Sequence, residues 1–145
     1  KGIPTMSFHE KSAWIMGLLI SLTGVWYVSR VWKMSQALGE TAPPTLGLIG
    51  GATIMLVVGA IISHTIIASI SPEDADDTED ERDKQVLRRA GNISGYVLGF
   101  GIFAGLWHYY INSDGNLLFH IAVGSLIASQ VAEYVLTILF YRRGT

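Results

Sequence analysis

The sequence has no cysteine. Disulfides, thiolate metal sites, iron–sulfur clusters and thiol nucleophiles are therefore excluded, as is the chemistry of quinone-linked thiol oxidases. Charge is scarce too: 15% of the 145 residues are Asp, Glu, Lys or Arg, against about 25% in soluble domains. A formal net charge of −2 gives no excess of positive charge for nucleic acid. Catalytic signatures are missing as well. There is no G-x-S-x-G, no H-E-x-x-H, no P-loop and no G-x-G-x-x-G ahead of a helix, so the chain reads as a non-enzyme.

What the sequence does have is apolar length. Half of it is hydrophobic. Crossing the roughly 30 Å hydrocarbon layer takes about 20 mostly apolar helical residues, and four segments meet that: about 13–32, 46–70, 93–111 and 117–141. Strands are excluded because the runs are too long and do not alternate. Ser7 with Glu10, and Thr78 with Glu81, have capping-box spacing. Pro43-Pro44 opens the second span and Ser71-Pro72 closes it. Asn112 to Asn116 is short enough to force an antiparallel hairpin between spans three and four. The expected fold is all-α: one transmembrane four-helix bundle with short loops and a cytoplasmic extension of the third helix, which should begin near Glu79. Met6 reads as the natural start, with Lys1 to Thr5 a cloning remnant.

Basic residues set the orientation. Lys11, Arg82, Lys84, Arg88, Arg89, Arg142 and Arg143 lie at one side of the spans, and only Arg30 and Lys33 at the other. Both termini are thus expected on the cytoplasmic side. Trp26, Tyr27, Trp32, Trp107, Tyr109 and Tyr110 then mark the outer interface, and Trp14 and Tyr141 the inner one. Eight of the twelve acids fall between Glu73 and Asp83. This acidic loop, 72–83, is either a solvating linker or a docking surface for a basic cytoplasmic protein, in which case Glu79, Asp80, Glu81 and Asp83 carry the contact.

Glycine is abundant, at sixteen. Gly91, Gly95 and Gly99 recur every fourth residue, and Gly101 and Gly105 form a further G-x-x-x-G pair, as do Gly47 and Gly51. Such rows let helices approach closely in lipid, either inside the bundle or between copies in a homo-oligomer. Glu133 is the costly residue. It lies eight positions before Tyr141, where a carboxylate costs about 2.5–3.5 kcal/mol on insertion scales. Ser125, Ser129, Gln130 and Thr137 share its helical face. His64 is expected at similar depth on the second span, so a polar cluster of His64, Glu133, Gln130, Ser129 and Tyr96 is anticipated, serving either to fix register or as a proton-responsive or ligand-binding site. His108, Asp114 and His120 are weak candidates for a metal site at the outer turn. Two inner histidines, His9 and His64, and two outer ones, His108 and His120, leave haem as a third reading. No cofactor is otherwise implied.

Several stretches carry a resemblance: MSFHEKSAW from Met6, TAPP at Thr41, DERD at Asp80, SGYVLG at Ser94, DGNLLFH at Asp114, and AEY with YRRG near the end. In these, over nearly the whole chain from Met6, it resembles a group of short, uncharacterised bacterial four-span membrane proteins. The resemblance implies fold and inner-membrane location. Members of the group are often encoded beside helix-turn-helix regulators, which implies a cytoplasmic regulator as partner. The leading expectation is thus a membrane module engaging a cytoplasmic partner through its acidic loop. The alternative is a small proton-responsive carrier around Glu133 and His64. The charge asymmetry yields one direct test: reporters fused at Asp114 and after Thr145 are expected on opposite sides of the membrane, and a cytoplasmic Asp114 overturns the orientation.

Overall fold

The computed structural model describes residues 8–70 and 81–143. Among them the fold is all-α, with four helices: α1 (Phe8–Leu38), α2 (Leu46–Ile70), α3 (Glu81–Asn112) and α4 (Gly115–Arg143). Three segments are long and apolar enough to cross a membrane: Glu10–Leu38, Leu46–Ile66 and Gly115–Arg143. Helix α3 is not among them. Its first third carries Glu81, Arg82, Asp83, Lys84, Arg88 and Arg89, and glycine and tyrosine dilute the remainder.

Local chemistry sets the helix ends. Gly39 closes α1 in the left-handed conformation at φ 73°, its amide donating to the Ser35 carbonyl at 2.9 Å. Thr45 starts α2, its side-chain oxygen accepting from the Leu48 amide at 3.3 Å. Ser113 takes the left-handed turn after α3 at φ 55°, and Asp114 caps α4 by accepting from the Leu117 amide at 2.9 Å. The expected capping residues Ser7 and Thr78 lie outside the described residues, as do Glu79 and Asp80. The observed start of α3 is Glu81.

The helices pack in the spatial order α2–α1–α4–α3, with α3 against α4 the most extensive pair. Helix α4 is thus central, and α2 packs on α1 alone to any extent. Contacts fix an antiparallel register for α3 and α4: Tyr141 Oη donates to Asp83 Oδ1 at 2.6 Å, Gly91 faces Glu133, Gly101 faces Ser125, and Gly105 faces Ile121. In that register Arg88 and Arg89 stand beside the 135–138 stretch of α4. The basic start of α3 therefore lies along the last turns of α4, with Val86 and Ala90 buried.

Small residues make the close approaches, but not all those expected. A Cβ on Gly101 would lie 2.7 Å from Ser125 Cβ, and one on Gly105 would lie 2.9 Å from Ile121 Cγ2. Gly24 and Gly17 on α1 do the same against Ile127 (2.8 Å) and Tyr134 (3.2 Å) of α4. Gly51 and Gly59 of α2 receive Trp26 and Leu19. By contrast, a Cβ on Gly95 or Gly99 meets nothing within 4 Å, and one on Gly47 meets only the Thr45 hydroxyl. The Gly95–Gly99 row therefore packs on nothing among the described residues, because it lies off the α4-facing side of α3. Gly101→Val should overpack the α3–α4 seam and cost about 1–3 kcal/mol, whereas Gly95→Val should leave the unfolding of a single copy unchanged. Equal losses in a detergent denaturation series would contradict this register.

Candidate functional site

Polar side chains gather in three places: where α1 turns into α2, where the helices end on the opposite side, and around Glu133.

The first cluster holds the α1–α2 link against the start of α4. His120 is buried. Its Nε2 lies 2.8 Å from the Ala42 carbonyl and its Nδ1 lies 2.8 Å from Tyr27 Oη. A carbonyl only accepts, so Nε2 carries the proton and donates to Ala42, and the Tyr27 hydroxyl donates to Nδ1. Both nitrogens are thereby satisfied in the neutral ring. Beside it, Thr41 Oγ1 donates to Asp114 Oδ2 at 2.7 Å, Asn116 Nδ2 donates to the Thr41 carbonyl at 3.2 Å, and the Ala42 amide donates to Ser35 Oγ at 2.9 Å. A cavity of about 340 Å³ opens beside the Tyr27–His120 pair, walled mainly by Val28, Val31, Trp32 and Ile121. The aromatic-belt expectation fails for Tyr27, which is fully buried because its hydroxyl finds a partner inside.

The weak metal candidates are not assembled into a site. His120 would have to give up a buried hydrogen bond to free a ring nitrogen. His108 Nε2 instead sits 3.1 Å from Asn112 Nδ2, and its buried Nδ1 has no partner. Asp114 acts as helix cap and loop anchor. No group of three or more His, Asp or Glu stands ready for a metal among the described residues.

The second cluster ties the other ends together. Arg142 Nε lies 3.2 Å from Glu10 Oε1, and its guanidinium rides 5.5 Å over the Trp14 ring. Tyr141 reaches Asp83, as above. The Arg142 side chain is 59% exposed, so this pair contributes about 0–1 kcal/mol and chiefly sets orientation.

Around Glu133 the structure brings together fewer residues than expected. Glu133 Oε2 is 3.4 Å from Ser94 Oγ and 3.5 Å from Gln130 Nε2, both at the long limit for a hydrogen bond. Ser94 has a closer acceptor in the Gly91 carbonyl, at 2.9 Å. Ser125, Ser129 and Thr137 are buried along α4, but Gln130 is exposed. His64 and Tyr96 do not join. Tyr96 is 79% exposed on the far side of α3. His64 is exposed on α2, which packs on α1. The Gly59–Leu19 and Gly17–Tyr134 contacts place His64 about four residues nearer than Glu133 to the end of the bundle that carries Glu10 and Arg142, roughly 6 Å at the helical rise. The expected His64–Glu133 pair is therefore not formed. Glu133 is also only about one turn from the level of Arg88 and Arg89, so it lies near the charged rim of the bundle.

The hydrogen-bonding roles of Tyr27, Ser35 and Asn116 were not anticipated, but a signal was present: turn residues and hydroxyls crowd both links on one side of the spans, where buried backbone groups must find partners. His9's side chain lies outside the described residues. Compared with family models, characterised proteins and solved structures, the chain matches none.

Asp114 gives a pH prediction. The Leu117 amide holds its carboxyl below the ordinary range, and the Thr41 hydroxyl adds to this. A carboxylate depressed in the folded state stabilises above its unfolded pKa, about 3.9, and that contribution is lost as pH falls through the lower folded value. Thermal stability should thus drop below about pH 4, and Asp114→Asn should flatten the drop. An unchanged acid limb in the variant would show that Asp114 does not anchor the loop.

Proposed function

We propose that this chain is a non-enzymatic bacterial inner-membrane module, crossing the bilayer four times with both termini cytoplasmic, that engages a basic cytoplasmic protein through the acidic stretch leading into α3. The observation that carries this reading is the fixing of the first turn of α3 by the Tyr141–Asp83 hydrogen bond. The acidic stretch thereby leads into a helix tied to α4 at Asp83, with Glu81 exposed. A charge cluster delivered on a fixed support loses less entropy on binding than one on a free linker. Helix α3 supplies the fourth pass. Its uncharged stretch, 93–111, spans roughly 28 Å, enough for the hydrocarbon layer with snorkelling by Arg88 and Arg89.

A proton-responsive carrier has less support, since His64 and Glu133 stand apart and Glu133 has only long contacts. Haem would need ligands from histidines that are either engaged, as His120 is, or held on the outermost helix, as His64 is.

A photo-crosslinking residue in place of Glu81 tests the module. An adduct with a soluble protein is expected at Glu81 and not at Glu40, and it should vanish when Glu79, Asp80 and Asp83 are changed to their amides. An adduct insensitive to that neutralisation, or none at all, rejects the acidic docking surface.

A further inference from the structure

Helix α3 stands at the end of the helix row, with α4 as its one extensive neighbour. Its opposite side presents Tyr96, Phe100, Phe103, Trp107 and Tyr110, each 59–81% exposed. The steps between them are four, three, four and three residues. That is a 3.5-residue period, the repeat that keeps one seam facing a partner helix in a left-handed pair. The rings already lie in a ridge: Phe103 stacks on Trp107 with centroids 6.5 Å apart, and Trp107 contacts Tyr110 at 6.3 Å. Gly95 and Gly99 run beside the ridge with nothing above them. They form a furrow adjoining a row of knobs on one face.

Lipid is a poor occupant for this face. Of the four helices, α3 is the least apolar, yet it is placed at the edge. Its outward side includes the Tyr96 hydroxyl and Asn92, and two glycines that give acyl chains little to pack on. Glycine within a helix costs about 0.5–1 kcal/mol relative to alanine, which a close helix approach offsets and lipid does not.

We propose that α3 is the two-fold interface of a homodimer in the membrane, the Tyr96–Tyr110 ridge of one copy seating beside the Gly95–Gly99 furrow of the other. The occupant is a second copy because ridge and furrow are both on this face, as a self-complementary interface requires. The area is sufficient. An aromatic side chain buries about 150–250 Å², so five rings at this exposure offer roughly 700 Å² per copy, close to the ~800 Å² per partner of a standard interface. The ridge runs for about 21 Å at the helical rise, along most of the uncharged length of α3. Glu133 and the α4 seam lie on the other side of α3 and are untouched by dimerisation. The proposal is independent of the acidic docking surface.

The cysteine-free chain is a clean background for the test. Phe103→Cys in native membranes, treated with a short bismaleimide, should give a covalent dimer. Ile54→Cys, on the exposed side of α2, should give at least fivefold less. Equal adducts at both positions, or none at Phe103, would overturn the interface. Removing a ring could itself weaken the contact, so a second measurement uses the chain with its ridge intact. Photobleaching of a fluorescent fusion in lipid discs should count two copies, and Gly99→Leu should reduce the count to one at unchanged helix content. A single copy in the unsubstituted chain means that the ridge faces lipid, and the proposal fails. A dimer count unaffected by Gly99→Leu places the interface elsewhere and fails it equally.

Discussion

The docking of the α1–α2 link onto the start of α4 is the contact that joins the two hairpins at a defined height. The 39–45 link contains two prolines and a left-handed glycine, and it lies where helix geometry no longer pairs the backbone. Thr41 and Ala42 are met there by Asp114, Asn116, His120 and Ser35. Helix association in lipid has no hydrophobic driving force of its own. Along the α1–α4 seam, the contacts of Gly17 and Gly24 with Tyr134 and Ile127 are not directional and do not by themselves fix its height. Directional hydrogen bonds at one end remove that freedom, because a shift by one turn would strand the Ala42 carbonyl and the His120 ring.

With the height fixed, α4 organises the rest. It packs on α1 through Gly17 and Gly24 and on α3 through Gly101 and Gly105. Its buried Ser125, Ser129 and Thr137 add little bulk between the helices. The Ser125 hydroxyl returns its hydrogen bond to its own helix, at the Ile121 carbonyl. These hydroxyls serve packing. The two outer helices then differ in kind. Helix α2 is strongly apolar and exposed, suited to lipid. Helix α3 is glycine-rich and aromatic, suited to another helix.

Glu133 takes its meaning from this arrangement. Counted along its own helix it lies well inside an apolar run. Counted across the α3–α4 register it stands near the Arg88–Arg89 level. A carboxylate close to a charged rim is cheaper than one at mid-membrane, since water and snorkelling side chains reach it. That accounts for its tolerating two long contacts in place of a tight partner.

Apolar run length and the scarcity of charge were enough to read four helices, an all-α class and the antiparallel α3–α4 hairpin, because backbone groups in lipid can be satisfied only within a helix or a closed barrel. The start of α2 at Leu46 was legible from Pro43-Pro44, since proline is disfavoured inside a helix. The separation of His64 from Glu133 was not legible, nor was the side to which Gly95 and Gly99 face. Helical periodicity gives the face a residue occupies but not the neighbour on that face, and matched depth does not imply adjacency when the helices lie in a row. That row order, α2–α1–α4–α3, came from long-range contacts: His120 with Ala42, Gly24 with Ile127, Asp83 with Tyr141. With the difference in depth it separated His64 from Glu133, and it buried Tyr27 and left the aromatic ridge of α3 without a partner among the described residues.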